Sequence, residues 1–165
     1  MAILVRAAEP GDFVPITSLL QELGRPVVLG TPNEAGAREV FDAWLADPNR
    51  FAFVAEEGGE IVGFVDVVLQ PWLNFLEPEA HVPDLIVTER ARSRGAGAAL
   101  LAAAEALGRE RGAFALSLDS ANWRTRAHAF YRREGMEDTA RHFVKALGDR
   151  AWPPAPPGDA DRPTP

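Results

Sequence analysis

The residues best equipped for chemistry begin at Arg92-x-x-Gly95-x-Gly97, in the stretch RARSRGAGAALLAAAEALG. An apolar run ending at Val87 precedes it, and a strong helix former follows it. Backbone N–H groups at a helix start lack helical acceptors, and the helix dipole is positive there. Glycines let the backbone approach a ligand closely. Arginines on either side add charge-assisted hydrogen bonds. Strand, glycine turn and helix together make a cradle for a pyrophosphate. Two other nucleotide sites do not fit. A Rossmann turn needs a third glycine and follows the first strand. A P-loop needs Gly-Lys followed by Ser or Thr, and the only lysine is Lys145.

Elements must hold that turn in place. ILVRAAE (3–9) reads as a strand, and PGDF follows it as a turn with Asp12 as a candidate helix cap. Phe13, Ile16, Leu19, Leu20 and Leu23 recur at helical spacing, with Gly24 to end the helix. A second helix carries Val40, Phe41, Trp44 and Leu45 on one face, with Asn33 as its cap and Pro48 as its stop. RFAFVAEE and EIVGFVDVVLQ are two strands joined by a glycine hairpin. HVPDLIV is a strand, the alanine-rich stretch a helix closed by Gly112, and FALSLDS a strand. NWRTRAHAFYRREG is a helix closed by Gly135, and RHFVKAL is a last strand. The order is βααβββαβαβ, an α/β chain with one mixed sheet. Residues 1–148 read as one domain, and the proline-rich 149–165 as a tail.

Composition narrows the function classes. The chain has 165 residues and no cysteine, which excludes disulfides, thiolate metal sites and cysteine nucleophiles. Its three histidines are scattered, so no metal site is expected. No apolar run is long enough to span a bilayer, and the N-terminus does not read as a signal peptide, so a cytoplasmic protein is expected. The net charge of −7 hides an asymmetry: residues 1–88 hold four arginines against 14 acids, and residues 89–165 hold 13 basic residues against 10. A basic segment on an acidic protein suits a small polyanion better than a nucleic acid.

Three blocks resemble the GNAT superfamily of acetyl-CoA-dependent amine N-acetyltransferases. DLIVTERARSRGAGAALLAAAEALGRERG is similar to that family's acyl-CoA block. FALSLDSANWRTRAHAFYRREGM resembles the next one, with Asn122, Ala127, Tyr131 and then Gly135-Met136, where Phe is commoner than Met. ILVRAAEPGDFVPITSLL resembles the opening strand and helix. The likeness spans about residues 3–147. It implies a GNAT-like acyl-CoA N-acyltransferase fold and acetyl-CoA as co-substrate. The strand holding Leu85, Ile86 and Val87 would splay from FALSLDS and offer its edge to the pantetheine arm. The N–H groups of Arg94, Gly95, Ala96, Gly97 and Ala98 would hold the pyrophosphate, with Arg92 and Arg94 facing it. Asn122 would bond the pantetheine region. Tyr131 would stand beside the acyl sulfur and protonate it.

Acetyl transfer also needs a base for the amine. Asp84 and His81 lie on the strand before the turn. At three residues apart, an ideal strand puts them on opposite faces, and Pro83 between them can mark a bulge that upsets that parity. The base stays open among Asp84, His81 and water. Glu77, Glu79 and Asp66 are candidates for an acidic mouth, and Trp72 and Phe75 for its wall. The expected activity is acetyl transfer to a primary amine of a small molecule or peptide; the alternative is a binding or sensor module of the same fold that holds acyl-CoA without turnover. Neither nucleic acid nor membrane is an expected partner, and a homodimer is a possible assembly.

Overall fold

The structure is a computed structural model that describes residues 2–148. They fall into two compact units, divided between Leu118 and Asp119.

The first unit is a six-stranded sheet between helices. Its strands are β1 (Ile3–Ala7), β2 (Arg50–Glu57), β3 (Glu60–Pro71), β4 (Pro78–Val82), β5 (Leu85–Val87) and β6 (Ala115–Leu118). Its helices are α1 (Phe13–Glu22), α2 (Glu34–Ala46) and α3 (Ala96–Glu110). The pairing order is β1-β2-β3-β4-β6, with β5 on β3. Neighbours run antiparallel except β4 and β6, which are parallel. Mixed and mostly antiparallel, the sheet bears out the α/β reading.

Local chemistry explains much of this. Glu57 pairs with Glu60 across Gly58 and Gly59, both at positive φ, as a two-residue hairpin turn requires. Gly24, Gly112 and Gly135 follow their helices as the spacing predicts. The sheet separates two apolar layers. Val65, Val67, Leu69, Ala80 and Val82 pack with Leu100, Ala104 and Leu107 of α3. On the opposite face, Val54, Phe64 and Ile86 pack with Phe13, Ile16 and Leu19 of α1 and Phe41 of α2.

Four local expectations change. Asp12 takes the N-cap position of α1 but makes no side-chain bond to that helix; its carboxylate pairs with Arg6 at 2.7 Å and accepts the Glu9 N–H at 2.8 Å, tying the turn before α1 to β1. Asn33 likewise makes no capping bond. Val40 is 52% exposed, so the apolar face of α2 rests on Phe41, Trp44 and Leu45. HVPDLIV is two strands, β4 and β5, with a break at residues 83–84.

The second unit, among its described residues, holds α4 (Thr125–Arg133) and the turn before it. Asn122 lies in that turn rather than in the helix. RHFVKAL (141–147) forms no strand: its residues are not in a ladder, and Phe143 and Leu147 are exposed. β-compatible residues alone do not make a strand without a partner edge. The tail at 149–165 lies outside the described residues.

Candidate active site

The break between β4 and β5 organises the site. His81 lies opposite Val68 and Leu85 opposite Val65, so three steps along β3 meet four on its partner. That single extra residue is a bulge, and it moves the facing of every later side chain. Ala80 and Val82 pack toward α3, so His81 between them faces α1 and α2. Ile86 packs among the α1 and α2 residues, so Asp84, two before it, shares that face. The bulge therefore puts His81 and Asp84 on one face, against the ideal-strand parity.

Backbone bonds fix what the break exposes. The Asp66 N–H donates to the Asp84 carbonyl at 3.2 Å, and the Thr88 N–H to the Val62 carbonyl at 2.9 Å. Even-numbered residues of this segment thus bond to β3, and the peptide groups of Leu85 and Val87 turn the other way. On that other side β6 pairs with residues 79–82, and among the described residues no strand joins the edge of β5. The outward backbone groups of Leu85 and Val87 therefore belong to no ladder of the described sheet. The Val87 carbonyl there accepts a bond from Arg92 Nε at 3.2 Å.

The glycine turn follows directly. Gly95 has φ 93° and its missing side chain would point into open space. Ser93 also takes a left-handed backbone, at φ 63°. The first α3 bond runs from Ala99 N–H to the Gly95 carbonyl at 2.9 Å. The N–H groups of Ala96, Gly97 and Ala98 therefore have no helical acceptor. The arginines of the turn are held by acids: Arg94 pairs with Glu57 at 2.9 Å, and Arg92 with Glu22 at 3.7 Å.

Charge is balanced on the α1–α2 face. Asp84 is paired with Arg25, just past the end of α1, through its Nε at 3.0 Å and a closer contact from Nη2. Asp66 is 0% exposed; its Oδ1 accepts the Asp84 N–H at 3.0 Å, and its Oδ2 lies 3.4 Å from Arg50. Burial raises its carboxyl to about 7; the charge on Asp84 adds to that, and Arg50 pulls it down. Asp66 is thus a buried brace of the strand break and not part of an acidic mouth. The signal for this was a lone acid between Val65 and Val67 in the apolar run of β3. His81 Nδ1 lies 3.0 Å from Ser117 Oγ, its neighbour across the parallel pair. Arg25 and Ser117 were not foreseen, because both come from segments distant in the chain.

Other candidates sit further out. Trp72 donates to Glu79 at 2.9 Å and meets Phe75 edge-on at 6.0 Å. Phe75 stacks on Phe114 at 4.7 Å, and Glu77 is exposed. In the second unit, burial raises the Tyr131 phenol above the usual tyrosine range, with Arg124 pulling the other way. Such a phenol keeps its proton at neutral pH. No group of side chains suited to a metal occurs among the described residues, and none of their helices is long and apolar enough to cross a membrane.

Comparison with known proteins meets this geometry. Residues 17–136 match the model of the acetyltransferase (GNAT) family. An aminoalkylphosphonate N-acetyltransferase of Salmonella typhimurium is 36% identical over 110 residues, covering 67% of this chain and 71% of the relative. An aminoglycoside N(6')-acetyltransferase type 1 of Stenotrophomonas maltophilia is 37% identical over 101 residues, covering 59% of this chain and 66% of the relative. The crystal structure of glucosamine-6-phosphate N-acetyltransferase from Arabidopsis thaliana superposes with a TM-score of 0.76 at 20% identity, over 90% of this chain and all of the other, which is a likeness of fold.

Proposed function

We propose that this chain, which belongs to the acetyltransferase (GNAT) family, moves an acetyl group from acetyl-CoA to the primary amine of a small molecule or peptide. That it is an acyltransferase follows from the family and its named relatives. The observation that carries the finer reading is the edge of Leu85–Val87, joined by no further described strand, followed by a helix start whose N–H groups have no helical acceptor. One strand edge suits an amide-bearing arm, and the helix start suits a pyrophosphate.

The residues then divide the work. The Leu85 and Val87 peptide groups hold the pantetheine amides, with Ile86 anchoring the strand between them. Residues 94–98 and Arg92 hold the phosphates, and Asn122 bonds the pantetheine arm. The amine attacks the acetyl carbonyl directly in a ternary complex, and a backbone N–H near Val87 meets the developing oxyanion. Asp84, His81 or an ordered water takes the amine proton. Tyr131 gives its proton to the departing sulfur; its phenol, raised by burial, is protonated at neutral pH.

The test is release of free thiol from acetyl-CoA on addition of primary amines. The reading expects amine-dependent release that falls in Asp84→Asn, His81→Gln or both. Binding of acetyl-CoA without release for any amine would favour the non-catalytic module instead. Homodimers and a cytoplasmic location stay part of the proposal, to be checked by solution mass and cell fractionation.

A further inference from the structure

The acceptor face carries a second message, about the charge of the amine. This inference rests on the proposed amine acetylation, with Asp84 beside the attacking nitrogen. Each carboxylate at the strand break has its own guanidinium: the partly covered Asp84 has Arg25, and the buried Asp66 has Arg50. An acceptor site built for a polycation needs uncompensated acids. Here a second positive group on the acceptor would meet Arg25. The Arg25 side chain is 29% exposed and that of Asp84 10%, so the guanidinium reaches solvent while its carboxylate is largely covered.

We propose that the acceptor is a short zwitterion, with its amine directed to Asp84 and an anionic group, carboxylate or phosphonate, received by Arg25. Such a molecule replaces one ion pair by two. Its ammonium meets Asp84 on arrival, and its anion meets the guanidinium fork, whose planar geometry suits either oxyanion. Because Arg25 touches Asp84, the two groups of the substrate must be close. One or two carbons between nitrogen and anion fit that contact; a long ω-amino acid does not. In the reaction the ammonium gives one proton to the base, and the freed nitrogen forms the N–C bond as the C–S bond breaks. The second proton of the nitrogen passes to solvent, and the departing sulfur takes one from Tyr131. The product is an N-acetyl anion and free CoA thiol. It no longer carries an ammonium for Asp84, which aids its release.

The experiment compares acceptors at fixed acetyl-CoA by thiol release. The panel is aminomethylphosphonate, glycine and β-alanine against ethanolamine and propylamine, monocations without an anionic group, and the polycation spermidine. The expected result is a kcat/KM for the better short zwitterion at least about tenfold above the monocations, the worth of one charge-assisted hydrogen bond. The phosphonate and carboxylate arms tell which anion is preferred. Arg25→Gln should abolish that preference, mainly through KM for the zwitterion, and Arg25→Lys should restore part of it. An equal loss for monocationic and zwitterionic amines in Arg25→Gln would mean that Arg25 only positions Asp84, and would overturn the proposal. Preference for spermidine, or turnover of none of the zwitterions while acetyl-CoA binds, overturns it as well. Failure to bind acetyl-CoA at all would instead count against the acetyltransferase reading beneath it.

Discussion

Asp66 shows how one residue ties chemistry to folding. Its carboxyl titrates near 4 in an unfolded chain and at about 7 in the folded one. Between those values the folded state holds a proton that the unfolded state has lost. Stability therefore falls as pH rises from about 4 to about 7, and levels off above. Asp66→Asn keeps an acceptor for the Asp84 N–H and removes the titration. Urea midpoints at pH 5 and pH 7.5 should differ less in the variant than in the parent; an unchanged difference would place the titration elsewhere. Tyr131 makes a second prediction at this scale. As the general acid it contributes about a hundredfold or more, so Tyr131→Phe should lower kcat by about that factor with little change in KM for acetyl-CoA. A variant with full kcat would remove the acid role and leave the phenol a packing residue beside Phe130, whose ring lies 5.3 Å away.

At the scale of elements, what was legible in the sequence was local. The glycine hairpin, the helix stops and the strand-turn-helix around Gly95 follow from a few neighbouring residues each. The bulge was half legible: Pro83 flagged it, but which way Asp84 faces depends on packing against α1 and α3. Asp66 was misplaced because charge in a sequence suggests solvent, while β3 is central in the sheet. The strand at 141–147 failed because its pattern was sound but pairing depends on a partner edge. Gly63 adds a further element-scale dependence. A side chain there would meet Leu100 Cδ1 at 2.9 Å and the Ile86 carbonyl at 3.0 Å, where β3, β5 and α3 converge. Gly63→Ala should cost about 1–3 kcal/mol in stability. It should also weaken acetyl-CoA binding, because β5 must shift; a melting temperature and affinity equal to the parent's would show that Leu100 simply swings away.

Over the whole molecule, charge is unevenly spread, with the acids concentrated before residue 89 and the arginines after it. In the first unit Glu57 and Glu22 hold Arg94 and Arg92 across that division. A polyanionic ligand competes with these carboxylates, and salt screens both. Screening length falls from about 10 Å at 0.1 M salt to about 3 Å at 1 M. Acetyl-CoA affinity should therefore drop as salt rises, whereas affinity independent of salt would mean the arginines do not meet the phosphates.

The measurement that bears most directly on the account is a calorimetric titration with acetyl-CoA of the parent protein and of Gly97→Glu. Position 97 is preferred to 95, because the positive φ of Gly95 would strain any substitution there. The account predicts saturable one-to-one binding to the parent, lost in a variant that keeps its melting temperature. Absence of binding to the folded parent, or equal binding by both proteins, would contradict the cradle at the start of α3.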